Sequence, residues 1–371
     1  MGGRSEKSFE ESKSRILTQL KQEWASQDTR LPSIEFQYLD FETSDVASLT
    51  KILRDCKADA VAHTAGPFQQ RTQTSLLRAC IEAGLPYVDV CDEPALCEAH
   101  KELTDLAKDK GVAAVTAAGI WPGTSALMVA QAIEELESKT LTKDPVDVTM
   151  SFFTAGTGNA GATIVSATFL LLCQKAFTIV DGKPNEKEPW TEEKSIDFKG
   201  KEGVKTVRLL DNPDVFTLYN SLPHGKIRSL SSRFATAPGI WNQLFGAMKT
   251  IIPKNILGNT DLMQGFSLFS LPIIRTVDLL VGATNAMRVD VVSSKNHQNK
   301  CTFIVTHDDL EQCVGLATAA FVLELMRTEG GNEIESGVCY PAELPPESRK
   351  RILKRVKRDA IVWDMKTTIT T

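Results

Sequence analysis

The chain has 371 residues, of which 42% are hydrophobic and 24% charged, and its formal net charge is −5. This length permits two domains with sizeable cores, and the acidic balance argues against a nucleic-acid-binding protein. The eight cysteines form no CxxC pair and none lies near His at zinc spacing, so we predict no metal site. Thiols scattered through apolar runs are typical of a reducing intracellular compartment.

The first third of the chain alternates helical and strand patterns. Helices are predicted at 8–25, 45–56, 71–83, 95–110 and 125–136, and strands at 34–40, 60–65, 87–90 and 112–116. Such alternation indicates a doubly wound parallel sheet, and its apolar strands are typical of strands that are covered on both faces. We therefore predict an α/β domain over 1–138.

The pattern changes after Pro145. A strand at 146–154 and a helix at 163–177 precede short strands, and a last helix is predicted at 310–326. The short strands are predicted at 177–180, 195–198, 204–210, 215–219, 228–234, 286–293 and 301–306. We predict an α+β domain over 139–330 and a tail, 331–371, that packs back on the first domain.

Two uncharged stretches, 111–133 and 151–174, are interrupted by Gly, Pro or Thr clusters, so we predict no integral membrane segment. The basic cluster at 349–358 is predicted to be a solvated helix face.

Gly156, Gly158 and Gly161 match the G-x-G-x-x-G dinucleotide fingerprint, and Asp181 follows at the expected spacing. However, the sequence beyond Asp181 is a charged loop with short strands, not another β-α-β unit. We favour a Gly-rich turn beside the substrate cleft, and a true dinucleotide site is the alternative.

Three loops follow predicted parallel strands, where open α/β sheets bind their ligands. The first contains 64–70, the second Asp89, Cys91 and Asp92, and the third runs from Gly119 to Thr124 and Ser125. Clustered carboxylates can serve proton transfer, and the start of the helix after the third loop could face an anion.

Arg233 and Arg288, on predicted strands, could pair with a substrate carboxylate, although exposed surface arginines are the alternative.

Together these residues resemble the saccharopine-dehydrogenase-like family, in particular its plant and algal branch. The matching blocks are 65–69, 83–84 with 87–92, 118–120 with 122–123, 154–158 with 161, 234–238 with 241–242, and 287–290. The resemblance implies a Rossmann-type NAD(P)-binding domain, a substrate domain and hydride transfer to or from a small molecule, and it leaves a homodimer open. The residues expected at the cofactor are Arg4, Thr64, Ala65, Gly66, Pro67, Phe68, Gly119, Pro122 and Gly123. The residues expected at the substrate are Asp89, Cys91, Asp92 and Arg233.

In the family, the second strand tends to end in Gly-Gly-Arg, and here Gly2, Gly3 and Arg4 follow Met1 directly. The resemblance thus implies that the first strand, the pyrophosphate loop and the first helix are missing, and that Arg4 favours NADP over NAD. Without two or three hydrogen bonds of about 1.5–3 kcal/mol each, we expect weakened cofactor binding. The alternative is a non-catalytic interaction protein that has lost its cofactor.

Overall fold

The computed structural model describes residues 1–24, 30–65, 72–156, 162–327 and 334–370. The helices in these ranges are α1 (Glu6–Glu23), α2 (Val46–Asp55), α3 (Ser75–Ala83), α4 (Pro94–Lys101), α5 (Thr104–Asp109), α6 (Thr124–Thr140), α7 (Ala162–Leu171), α8 (Pro213–Ser221), α9 (Gly239–Ile251), α10 (Lys254–Leu257), α11 (Thr260–Val281), α12 (Leu310–Leu325) and α13 (Pro346–Val356). The strands are β1 (Gly2–Gly3), β2 (Gln37–Tyr38), β3 (Val61–His63), β4 (Tyr87–Asp89), β5 (Ala113–Val115), β6 (Val146–Ala155), β7 (Ala176–Val180), β8 (Lys183–Lys187), β9 (Lys194–Asp197), β10 (Val204–Leu209), β11 (Ile227–Ala237), β12 (Thr284–Ser293), β13 (Lys300–His307), β14 (Gly337–Cys339) and β15 (Ala360–Thr368).

The first part of the chain forms a parallel four-stranded sheet in the order β14-β5-β4-β3. Strands β1 and β2 form a separate parallel pair that makes no ladder with β3 in the described residues. Helices α2 and α3 cover one face of the four-stranded sheet, where Leu49, Leu77 and Ile81 are fully buried. The predicted α/β class with a Rossmann-type parallel sheet is confirmed.

A second, nine-stranded sheet follows the order β15-β13-β12-β6-β11-β10-β9, with β7 paired to β11 and β8 to β7. Its ladders are antiparallel except for β11 with β6, which run parallel. Helix α6 packs on β12 and β13, whereas α12 packs on β3, β4 and β5. Side chains of β4 and β5, α6, α12 and the inner face of the large sheet form one continuous core.

The predicted strand at 215–219 is wrong, because these residues lie in helix α8. The Asn212 side chain accepts the backbone N–H of Asp214 at 2.8 Å, and Pro213 occupies the first helical position. Both features start a helix, and they outweigh the strand preference of a short β-branched and aromatic run. The predicted helix at 163–177 likewise ends at Leu171, because β7 begins at Ala176.

The C-terminal segment contributes to both sheets. Strand β14 pairs with β5 in the small sheet, and β15 pairs with β13 in the large one. Between them, α13 carries the basic cluster, which is not simply solvated as predicted. Arg349 is 8% exposed and pairs with Glu134, and two further arginines bind a glutamate of α12.

Helix α11 is the one helix among the described ranges with the length and hydropathy of a membrane span. The sequence analysis missed it because Asp261, Arg275 and Asp278 interrupt its apolar run. Most of its apolar side chains are exposed, including Phe269 at 74% and Leu279 at 87%.

Candidate functional site

The loops after β3, β4 and β5 lie at one edge of the small sheet. Because these strands are parallel neighbours, their carboxyl ends meet there. The pairing continues into the loops: the N–H of Val90 donates to the His63 carbonyl at 3.3 Å, and the N–H of Ala118 donates to the Asp89 carbonyl at 2.7 Å. The structure thus brings together the starts of the three loops that were predicted to bind ligands, and residues 66–71 of the first loop lie outside the described residues.

The Asp89 side chain links the loops after β4 and β5. Its carboxylate, 1% exposed, accepts the backbone N–H of Ala117 at 2.8 Å and of Cys91 at 3.0 Å, and the Thr116 hydroxyl at 3.0 Å. His100 Nδ1 lies 3.1 Å from it. Burial acts to raise the pKa of Asp89, but the hydrogen bonds, with that of His100 the largest, lower it. Asp89 is therefore placed to hold the loops.

Cys91 is fully buried in a small cluster with Phe216 and Tyr340. The Glu93 N–H donates to its Sγ at 3.3 Å. A hydrogen bond with Cys97 and burial raise the pKa of the Cys91 thiol well above its usual range. Such a thiol is protonated at neutral pH and is not an activated nucleophile.

Asp92 is the loop carboxyl best suited to exchange a proton. It is half-buried directly after Cys91. Burial, with the neighbouring Glu93 charge, raises the pKa of Asp92 to about 7. A group of this pKa populates both protonation states near neutral pH.

The loop after β5 is closed by hydrogen bonds between its own backbone groups. The Gly119 N–H donates to the Pro122 carbonyl, and the Thr124 N–H donates to the Gly119 carbonyl, both at 3.0 Å. Gly123 has φ +125°, and a Cβ there would lie 2.4 Å from the Gly119 carbonyl oxygen. Glycine is thus required at this turn.

Trp121 ties this loop to the large sheet. Its indole stacks on Phe152 with ring centroids 5.0 Å apart, and its Nε1–H donates to Asn285 Oδ1 at 2.7 Å. The site therefore lies where the two sheets meet.

The start of α6 was expected to face an anion. It instead contacts a carboxylate of the same chain. The carboxylate of Asp214, in α8, accepts the Gly123 N–H at 3.2 Å and the Ser125 hydroxyl. Burial raises the pKa of Asp214 to about 6, against the lowering effect of the Ser125 hydrogen bond. Its pairing was not predictable, because the partner lies about 90 residues along the chain.

In the loop after β3, Thr64 and Ala65 are exposed, whereas Gly66, Pro67 and Phe68 lie outside the described residues. The preceding residue, His63, is packed as predicted: it is 8% exposed, and its Nδ1 lies 2.8 Å from the Tyr87 hydroxyl.

Arg4 lies directly after β1, and its side chain is 60% exposed. Its guanidinium donates to Glu42 at 2.9 Å, in the turn after β2. An exposed cation paired with a glutamate thus lies at the carboxyl ends of β1 and β2.

Arg233 and Arg288 point away from this edge. Arg233 is 2% exposed and donates to Glu192 at 2.9 Å, and its neighbour Phe234 faces the opposite side of β11. Arg288 pairs with Asp290 at 2.8 Å. Both guanidinium groups are thus held by internal carboxylates.

The G-x-G-x-x-G segment does not open a β-α-β unit. Gly156 directly follows β6, residues 157–161 lie outside the described ranges, and the strand after α7 pairs with β8 and β11 rather than with β6. Asp181 lies in the tight turn between β7 and β8, with φ +49°. The topology thus does not favour the alternative of a dinucleotide site, and the predicted Gly-rich turn beside the cleft stays a prediction.

A cavity of about 440 Å³ opens beside Trp121, and the sequence analysis missed it. It is bounded by α7, α9 and α11 and by the ends of β6 and β11. Among its lining residues on α11 are Phe266, Phe269, Ile273 and Ile274. Their i, i+3, i+7, i+8 spacing is the helical signal that could have revealed this face.

No cluster of potential metal ligands occurs within the described part of the chain. Residues 7–115, from α1 to β5, match the family model described as the saccharopine dehydrogenase NADP-binding domain. This segment is thus similar to the NADP-binding domain of saccharopine dehydrogenase. The resemblance expected from the sequence is confirmed over this segment, whereas the plant and algal branch stays a prediction.

Two solved structures are similar to this chain over most of their length. The first is apo saccharopine dehydrogenase (L-Glu forming) from Saccharomyces cerevisiae, with a TM-score of 0.59, 14% identity, and coverage of 90% of this chain and 89% of that one. The second is homospermidine synthase from Legionella pneumophila in complex with NAD, with a TM-score of 0.58, 9% identity, and coverage of 94% and 82%. At these identities they show the shared fold alone. No curated protein sequence matches the chain.

Proposed function

We propose that this chain is an oxidoreductase that uses NADP in preference to NAD. The observation that carries the proposal is the match of residues 7–115 to an NADP-binding family, because the strands in that range end in the three loops described above. Reduction would add a hydride to the carbon of a C=O or C=N bond and a proton to its oxygen or nitrogen, with NADPH becoming NADP⁺.

The residues at the sheet edge fit a nicotinamide cofactor. Arg4 offers an exposed cation beside β1, and Thr64 and Ala65 leave the end of β3 open. Gly66, Pro67 and Phe68, which follow Ala65 in the sequence and lie outside the described residues, are proposed as further contacts, as are Gly119, Pro122 and Gly123 of the turn after β5. When bound, the cofactor supplies or accepts the hydride.

We assign a different role to each of the candidate substrate residues. Asp92 exchanges the proton, because its pKa near 7 lets it give or take one at neutral pH. Asp89 positions the loops, and the buried Cys91 supports them. Arg233 is held by Glu192 on the other face of the large sheet and has no direct role.

The test is a calorimetric titration of the full chain with NADPH and with NADH. We expect NADPH to bind more tightly, and Arg4→Ala to weaken NADPH binding about tenfold while changing NADH binding little. A charge-assisted hydrogen bond to phosphate contributes about 1.5–3 kcal/mol, and only NADPH carries the 2′-phosphate. The matched control is Arg15→Ala, an arginine of α1 that is 52% exposed and pairs with Glu311.

Absence of saturable binding by either cofactor at millimolar concentration would overturn the proposal. It would favour a non-catalytic interaction protein, which the exposed apolar side chains of α9 and α11 would suit. Equal losses of NADPH and NADH affinity in Arg4→Ala would contradict the role of Arg4 as the 2′-phosphate contact.

A further inference from the structure

We infer that the cavity beside Trp121 binds an aliphatic chain, so that the substrate is a carbonyl or imine compound that carries a long hydrocarbon tail. As an assignment of substrate class, this rests on the proposed function. The cavity volume of about 440 Å³ lies within the ~300–1,000 Å³ range of small-molecule sites.

The cavity wall is hydrocarbon. It is formed mainly by aromatic and aliphatic side chains, among them Val165, Phe169, Phe234, Phe245, Met248 and Ile274. Its polar groups are turned to internal partners. The Thr236 hydroxyl donates to the Thr154 carbonyl at 3.0 Å, and the Ser270 hydroxyl donates to the Ser267 carbonyl at 3.2 Å.

This wall discriminates against amino-acid-like ligands. Among the described lining residues Asp278 is the only charged one, so the wall offers no cation to a substrate carboxylate. A buried polar group left without a partner costs about 1–3 kcal/mol, whereas each buried CH₂ group contributes about 0.8 kcal/mol. The balance therefore favours a hydrocarbon chain.

The cavity is continuous with the proposed cofactor edge. Trp121 belongs to the loop of Gly119, Pro122 and Gly123 and also forms part of the cavity wall. A chain in the cavity would thus direct its polar end past the indole towards that loop. This continuity points to a substrate tail rather than to an unrelated ligand.

The rim of the cavity is apolar as well. Leu244 of α9 and Phe266, Phe269 and Ile273 of α11 line it and are 43–74% exposed. Monomeric soluble proteins rarely expose apolar patches of this kind without a function. The rim gives a sparingly soluble chain a continuous apolar path into the cavity.

The test is a fluorescence titration of the full chain, without cofactor, with the polyene fatty acid cis-parinaric acid. We expect saturable binding of one molecule per chain at micromolar concentration. Hexadecanal should displace the probe, and millimolar glutamate or lysine should not.

Two cavity-filling variants locate the bound probe. Ser270→Trp should weaken probe binding at least tenfold, and Leu244→Trp, which grows into the cavity from the exposed face of α9, should do the same with little risk to folding. The matched control is Leu268→Trp. Leu268 lies on α11, like Ser270, but it does not line the cavity and is 58% exposed. It enlarges the apolar surface, so probe binding should be unchanged.

Equal binding by the cavity variants and the control would show adsorption on the exposed face and would overturn the inference. Displacement of the probe by self-association, seen as a concentration-dependent dimer in sedimentation, would overturn it too, because a second copy would then cover the cavity. The NADPH titration separates the two proposals. NADPH binding without probe binding defeats only the substrate class. Probe binding without NADPH binding defeats the oxidoreductase proposal, and with it the assignment of the ligand as a substrate, but leaves the cavity as a binding site for an aliphatic chain.

Discussion

Asp89 and Asp92 lie three residues apart at the end of β4, and their environments drive their pKa values in opposite directions. Asp89 is buried, but His100 and two backbone N–H groups lower its pKa. Burial of the Asp92 carboxyl and the neighbouring charge of Glu93 raise the pKa of Asp92 to about 7. Two carboxyls separated in this way can hold different roles, one structural and one in proton exchange.

The raised pKa of Asp92 makes stability depend on pH. Because its folded-state pKa lies above the ordinary value of 3.8, the protonated carboxyl stabilises the fold at low pH, and this contribution is lost as pH rises through about 7. The full shift corresponds to about 4 kcal/mol, and partial exposure reduces our expectation to about 1–2 kcal/mol. We expect Asp92→Asn to raise the free energy of unfolding at pH 8.5 by this amount and at pH 5 by only about a third of it, as measured by urea denaturation.

The matched control is Asp109→Asn, which makes the same substitution at an exposed carboxyl at the end of α5. If Asp92→Asn shifted stability equally at both pH values, Asp92 would not titrate near neutral pH. Its assignment as the proton-exchanging group would then be lost.

At the scale of elements, the start of α6 depends on a carboxylate from α8. Asp214 accepts the Gly123 N–H and the Ser125 hydroxyl and is fully buried. We expect Asp214→Ala to cost about 2–4 kcal/mol of unfolding free energy at pH 7, because it leaves both donors without an acceptor. Asp214→Asn keeps an acceptor oxygen and should cost about 1 kcal/mol. Urea denaturation of both variants measures the difference, and equal losses would show that packing, not hydrogen bonding, fixes the helix start.

The elements also show what sequence patterns can and cannot predict. The parallel strands β3, β4 and β5 were predictable because buried strands have short apolar runs between helices with clear ends. Helix α8 was not predictable, because the five-residue run at 215–219 is too short for its pattern to distinguish a strand from a helix. Loop positions were predictable from Gly and Pro, but the pairing of Gly123 with Asp214 depends on tertiary contact. The exposure of α11 likewise depends on which neighbours cover it.

At the scale of the whole molecule, the C-terminal segment holds the two sheets together. Strand β14 extends the small sheet, β15 extends the large one, and α13 between them packs on α6 and α12. Glu324 of α12 is the centre of this contact. It is 2% exposed and accepts hydrogen bonds from Arg351 at 2.8 Å and Arg355 at 2.7 Å.

Glu324→Ala should therefore destabilise the whole molecule. Removing one partner from a fully buried ion pair costs about 3–5 kcal/mol, and because the arginines are 27% and 33% exposed and can regain water, we expect about 2 kcal/mol.

Burial acts to raise the pKa of Glu324, but Arg351 and Arg355 lower it, so its contribution is present at neutral pH and is lost as pH falls through the lowered pKa. Urea denaturation should thus show a difference from the parent chain at pH 7 that shrinks at strongly acid pH. The control is Glu347→Ala, whose 59%-exposed side chain pairs with Lys350 in solvent, where an ion pair contributes little to stability. A loss in Glu324→Ala no larger than in this control would mean that apolar packing alone joins α13 to α12.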